Sequence, residues 1–495
     1  MRTRSAFHLG AAAGAVALLA MLLVAPIASA SSGKAPALIG SPLSGGVIWA
    51  QAVHAGDVTP VAGTGGAGNS VSPSVSVLPN VQASSGNQPV NEVPITADPN
   101  NASHLLSGGN DYNCPTIQGF FASSDGGATW TGHCLRTVGG LLGFGDPTVG
   151  YDTSGNAYIA GIDANGSVLN GKIVFEKSAD NGMTWSLPRV AASALFSGGL
   201  TDKEWMEIDH GASSPRPGAI YISITQFDST FTHDAISVAH SYDGGMTWSD
   251  VQVGPTVALG TRVDQFSDLA VGSDGTVYLS WMRCSPTGPT GDCGGSGAIM
   301  LFSKSSDGGV TWTPPSTAAS GITLVPDTCG AFYGCLPGTN ERMSNIPAID
   351  IDQSSGALYI GYYTWTGSIM QYQVIKSTNG GGTWGAPVMV VPTLNHDQFL
   401  SYLSVSPGGK VGASMLVRTM GSKYIAFAAV STDGGVTFGS RMKIATVKSN
   451  VLNDGFGGSF LGDYTGSIFT GETLHVSWPD TRTGTAADET GGLIP

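Results

Sequence analysis

Ser241-Tyr-Asp-Gly-Gly-Met-Thr-Trp248 is an octapeptide that the chain repeats. The pattern Ser-x-Asp-x-Gly-x-Thr-Trp recurs with Asp125 and Trp130, Asp180 and Trp185, Asp243 and Trp248, and Asp307 and Trp312. Two relaxed copies follow, one with Asn379 before Trp384 and one with Asp433 before Phe438. From last residue to last residue the copies lie 55, 63, 64, 72 and 54 residues apart. Repetition at that period predicts an array of supersecondary units. Each copy has the chemistry of a hairpin turn. The Asp side chain accepts from nearby backbone N–H groups, and Gly takes a conformation that a Cβ disfavours. The Trp supplies a large ring for packing between neighbouring units. A calcium or sugar site is the competing reading. Six copies sharing one packing ring favour a structural role.

The same unit surrounds every copy. In the second unit, Pro147–Asp152 reads as a first strand, Ala157–Gly161 as a strongly apolar second and Lys172–Lys177 as a third, which the motif then ends. Equivalent second strands are predicted at 104–107, 220–224, 277–281, 358–362, 411–415 and 474–478. Seven second strands therefore accompany six motifs, and the last unit stops after its second strand. The prediction is an all-β chain, a β-propeller of four-stranded antiparallel blades. Seven blades are favoured, with six as the alternative. Radial closure removes exposed sheet edges, and a strand near 46–53 is expected to complete the last blade.

The ends and the composition set the context. Arg2 and Arg4, the apolar run Leu18–Val24 and the small residues Ala28-Ser-Ala30 read as a secretory signal peptide over 1–30. Residues 31–88 read as a low-complexity linker, and 89–495 as the propeller. Six cysteines suit an oxidising compartment. Fifteen pairings exist. The local set, Cys114 with Cys134, Cys284 with Cys293 and Cys329 with Cys335, is favoured because each pair ties off one loop region. No Cys-x-x-Cys spacing supports zinc. Thirty-five carboxylates against 21 Lys plus Arg argue against nucleic acid as a partner. A secreted monomer without cofactor, metal or membrane span is expected.

On the six copies, between about residues 90 and 482, the chain resembles the sialidase and Asp-box superfamily. Its motif turns mark one face of the ring, so the starts of first strands and the ends of second strands lie on the other. That second face collects Asp146, Asp202, Lys203, Glu204, Asp264, Asp463 and Tyr464. It also collects Arg262, Arg283, Arg342, Arg418 and Arg482, five of the nine arginines beyond the signal peptide. An arginine fork matches a carboxylate bidentately. The resemblance implies an arginine clamp on the carboxylate of sialic acid or another anionic glycan. It further implies Tyr464 as nucleophile, Glu204 or Glu341 as its partner and Asp111 as acid/base.

Two stretches depart from the family pattern. Glu92-Val-Pro94 carries Glu where the family has Arg, and Asn345-Ile-Pro347 also lacks it. Three functions therefore stand at this stage. The first is a sialidase-like glycoside hydrolase. The second is a non-catalytic propeller that binds glycans or proteins. The third is another Asp-box glycosidase that works with paired carboxylates. The arginines have an alternative role too, pairing with Asp264, Asp463 and Asp480 to lock the ring.

Overall fold

The computed structural model describes residues 36, 38–66, 76–288, 291–392 and 394–495. The expected signal peptide lies outside them. Seven antiparallel sheets of four or five strands are arranged as the blades of a propeller. Each expected second strand is found as the second strand of a blade, for example Ala157–Ala164, Ile220–Phe227 and Val277–Cys284. These strands carry β-branched, aromatic and small residues, and almost every position is buried. The reason is geometric. A blade is covered on both faces by its neighbours, so its middle strands read as continuous apolar runs rather than as alternation.

The six octapeptides adopt one geometry between the third and fourth strands. In the third blade the Asp243 carboxylate accepts from the Thr247 amide at 2.9 Å and from the Thr247 hydroxyl at 2.6 Å. The Ser241 hydroxyl donates to the same carboxylate at 2.9 Å and accepts from the Gly245 amide at 2.9 Å. Gly244 and Gly245 have φ of 67° and 84°, in the left-handed region. A Cβ on Gly245 would lie 2.2 Å from the Phe175 ring of the preceding blade. Trp248 meets Phe175 edge-on at 5.3 Å, and Trp384 meets Phe302 in the same way at 5.3 Å. The fifth copy survives its Asn. Asn379 Oδ1 accepts from the Thr383 amide at 2.9 Å, while Nδ2 donates to the Thr383 hydroxyl at 3.0 Å.

Ring closure differs from expectation in two respects. The last blade does not stop at its second strand. Ala487–Leu493 continues it as a third strand, and Val81–Gln82 from the other end of the chain adds the fourth. Val81 pairs with Thr490 and Gln82 with Glu489. The stretch near 46–53 is therefore not the closing strand. Gly45–His54 is an α-helix, α1, capped by the Ser44 side chain. Gly45 to Ala50 are all buried because the mouth of the propeller surrounds the helix on every side. A short run that is mostly apolar has no period to separate helix from strand.

The three local disulfides, Cys114–Cys134, Cys284–Cys293 and Cys329–Cys335, are all formed. No helix among the described residues is long and apolar enough to cross a membrane.

Candidate functional site

The first strands begin in an unusual way on the face opposite the octapeptides. Glu92, Asp146, Lys203, Phe266 and Leu400 have φ of 56°, 52°, 45°, 63° and 41°. They occupy related positions in five blades, four of them beside a register shift in the ladder. Left-handed backbone at a residue with a side chain costs about 1–3 kcal/mol each and concentrates at functional sites. Here it turns side chains toward the ring axis.

Glu92, Asp146, Asp202, Glu204, Asp463 and Lys203 converge there, all essentially inaccessible to solvent. Glu92 accepts from the Asp463 amide at 3.0 Å and from Asn110 Nδ2 at 2.7 Å. The Glu92 and Asp146 carboxyl groups lie close together, with Glu92 Oε2 and Asp146 Oδ1 both against Gly46. Asp146 also accepts from the Lys203 amide at 3.1 Å. The Lys203 ammonium lies 4.3 Å from the Trp205 ring centroid and 4.2 Å from that of Tyr464. A cation between two desolvated rings gains the aromatic quadrupole attraction.

Burial dominates the electrostatics. It pushes the Glu92 carboxyl up to about 7, with the Asp463 charge adding to it. Burial and then Glu92 hold Asp146 well above the usual carboxylate range. Burial and Asp146 do the same for Glu204. Burial draws Lys203 down, and the surrounding carboxylates oppose that shift. Two buried carboxyl groups this close disfavour ionising together.

Helix α1 enters this pit N-terminus first. The Ser44 amide donates to Asp202 at 2.9 Å and the Gly45 amide to Asp463 at 2.6 Å. A Cβ on Gly46 would lie 2.0 Å from Asp146 Oδ1 and 2.7 Å from Glu92 Oε2. The unpaired N–H groups and partial positive charge of a helix N-terminus suit an acidic cluster. Beside the helix tip, a cavity of ≈ 20 Å³ remains between Tyr464, Asp463 and Tyr402, enough for one water.

The five arginines do not form a clamp. Arg262 is exposed. Arg283 forks onto Asp264, its cross-strand partner in the same blade. Arg482 forks onto Asp480 at 2.8 Å for both bonds and lies 3.3 Å from Glu489. Arg418 meets Asp397 at 3.2 Å and two backbone carbonyls. Arg342, buried, forks onto Asp463 at 2.9 and 3.0 Å, and its remaining contacts include the Leu43 carbonyl just ahead of α1. Four guanidinium groups thus have four separate Asp partners. Each of these four guanidinium groups has a carboxylate of its own.

The three expected catalytic residues separate. Tyr464 and Glu204 are in the pit, but the Tyr464 hydroxyl donates to the Pro147 carbonyl at 2.9 Å. Burial and the surrounding carboxylates raise that phenol well above its usual range, so it is held as a neutral donor. Neither Glu204 oxygen has a hydrogen-bond partner. Glu341 accepts from the Leu461 amide at 2.6 Å and is fixed in the connecting loops. Asp111 lies in the turn before Cys114, where Asn113 donates to it twice, at 2.8 and 2.6 Å. Burial pushes it up to about 6. Glu92, read from sequence as an obstacle to the clamp, is a central member of the cluster. Among the described residues, one grouping has metal-ligand spacing, Asp327 with Cys329 and Cys335. Its two sulfurs are joined in a disulfide, which leaves no thiolate to bind a metal.

No protein-family model matches the chain. No curated protein matches it. Among solved structures, an ulvan lyase of a polysaccharide lyase family aligns with a TM-score of 0.51 and 12% identity, over 81% of this chain and 93% of that one. A Hadza microbial sialidase aligns with a TM-score of 0.45 and 15% identity; the alignment covers 66% of this chain and 63% of the sialidase's length. An α-L-arabinofuranosidase from Fusarium graminearum aligns with a TM-score of 0.45 and 13% identity, over 70% and 92%. At these identities the likeness shows the fold alone.

Proposed function

We propose that this protein is an exported, carbohydrate-directed propeller that works by paired carboxylates at the axial pit. The observation that carries the reading is the close Glu92–Asp146 carboxyl pair in a buried, strained site opposite the structural turns. A carboxyl held near neutrality by burial suits general acid catalysis. Glu92 donates its proton to the glycosidic oxygen as the bond to the anomeric carbon breaks. Asp202 or Asp463 takes the proton of the water that attacks that carbon. Lys203 lines the pit as a donor to sugar hydroxyls. The resemblance to the Asp-box superfamily supports a glycan as substrate. The arginine pairing weighs against sialic acid, because Arg283, Arg342, Arg418 and Arg482 are each already held by an Asp. Three disulfides and the signal-like first thirty residues support export.

The test is a panel of neutral, amino and acidic glycosides and polysaccharides. It uses the full chain, intact and nicked in the exposed connection after α1. Turnover should fall by about 10²-fold or more in Glu92→Gln and in Asp146→Asn. Unchanged turnover in both variants would overturn the assignment, and cleavage of a sialoside would restore the arginine reading.

A second reading is a non-catalytic glycan- or protein-binding propeller. It is favoured by the pairing of each inward arginine with its own Asp. Binding on a glycan array by wild type and by Glu92→Gln alike, with no product, would select it.

A further inference from the structure

We propose that Pro42–His54 is a tethered occupant of the axial pit, a segment of the chain that fills a ligand site and keeps it closed until displaced. The proposal rests on the pit being the working centre, and its test separates the two ideas.

The segment is gripped as a ligand is gripped. Side chains of the mouth hold its backbone from Pro42 to Gly45. The Pro42 carbonyl accepts from Tyr333 at 2.7 Å and from Gln265 at 3.1 Å. The Leu43 carbonyl accepts from Arg342 at 3.2 Å. The Ser44 and Gly45 amides donate to Asp202 and Asp463. These partners come from separate blades and connections, so the ring as a whole forms the grip. Gly45 and Gly46 fit only because they lack side chains: a Cβ would lie 2.1 Å from Phe460 at the first and 2.0 Å from Asp146 Oδ1 at the second.

The fit is nevertheless incomplete. Asp146 Oδ1, Asp202 Oδ1, both Glu204 oxygens and the Lys203 ammonium are buried without a hydrogen-bond partner. A structural core is apolar or has its polar groups satisfied, and such atoms are costly when orphaned. These groups suit an occupant with more donors and acceptors than a helix tip has. A polyhydroxylated sugar bearing hydroxyl or ammonium donors would meet the carboxylates, and its ring oxygens would meet Arg342 and Gln265.

The tether allows release. Ala55, Gly56 and Asp57 are exposed just after the helix. The strand that closes the ring, Val81–Gln82, lies further along the chain. A break in the connection therefore frees α1 without opening the last blade.

The experiment inserts a site-specific protease sequence after Gly56 in the full, oxidised chain. After cleavage, a labelled peptide of residues 38–56 should exchange into the pit. A peptide with Gly46→Asp should bind at least 100-fold more weakly. Carbodiimide labelling of Glu92 and Asp146 should rise at least tenfold when the segment is washed out and fall when peptide is restored. The propeller should keep a cooperative melting transition throughout. The uncut Gly46→Asp chain should fold and expose residues 38–56 to protease. Loss of cooperative melting on cleavage, failure of Gly46→Asp to fold, or no exchange would each overturn the proposal and make α1 ordinary core. Exchange without glycan turnover or binding would leave the occupant standing and remove the carbohydrate reading. Turnover with the segment still bound would do the reverse.

Discussion

Trp49→Ala separates a tethered helix from an integral one. Trp49 is 4% exposed and is the largest side chain of α1. Its ring stacks on Phe460 at a centroid distance of 5.9 Å and tilts against Phe456 at 4.9 Å. Its indole N–H has no hydrogen-bond partner, so the substitution removes apolar contact only. Truncating a buried Trp costs about 3–5 kcal/mol, and the two aromatic pairs account for roughly 1–3 of that. At about 1.4 kcal/mol per decade, the equilibrium for lifting α1 off the mouth should rise by about 10²- to 10³·⁵-fold. The assay is amide hydrogen exchange across 45–54, read beside urea unfolding of the whole chain. Exchange in the helix should accelerate by that factor through an opening that lies below the free energy of the blade amides and depends little on urea, because helix opening precedes global unfolding. If helix and blade amides exchange at one free energy and with the full urea slope of global unfolding, α1 unfolds with the propeller and the reasoning fails.

Three further outcomes are expected. Burial pushes Asp488 and Glu489 up to about 8, and Asp163, Asp268 and Asp350 up to about 7. These raised carboxyls keep protons that the unfolded chain releases above about pH 4, so stability should fall as pH rises from about 4 to 8. Asp488→Asn, which can keep the Ser107 bond, should flatten that fall by up to about 1.4 kcal/mol per pH unit, and parallel urea curves from pH 5 to 7 for the two proteins would refute the assignment. The Cys114→Ser/Cys134→Ser pair opens a link across 20 residues and should cost about 3 kcal/mol in thermal or urea unfolding. Asp243→Ala strips the Thr247 and Met246 amides of their shared acceptor. It should lower stability by about 1–2 kcal/mol while leaving helix exchange and pit labelling unchanged, since the turn lies on the opposite face.

Much of the fold was legible because its signals are local. The octapeptide carries its own turn chemistry within eight residues, and the apolar second strands stand out between turns. What escaped was weakly marked. The third strand of the last blade, Ala487–Leu493, is largely polar and small, and the closing strand is two residues long. Helix α1 differs from the expected strand because a short, mostly apolar run interrupted only by Gln51 fits either secondary structure.

The site was legible only by face. Counting along strands brought Asp146, Asp202, Lys203, Glu204, Asp463 and Tyr464 to the correct side, since strand direction and turn position follow from sequence order. Composition drew attention to the arginines, yet a guanidinium matters by where it ends. The nearest carboxylates are 19 residues away for Arg283, 21 for Arg418 and 121 for Arg342.

By itself the sequence determined the repeating blade and the turn chemistry and favoured the local disulfides, because these depend on residues close together in the chain. Only tertiary structure decided which carboxyl groups lie together, which arginines are already paired and what fills the mouth of the ring. Those facts depend on separations of hundreds of residues and on the dielectric inside a closed propeller. No stretch of Gly45–His54 announces that it will lie across Glu92 and Asp463; the ring has to close before there is a pit for it to enter.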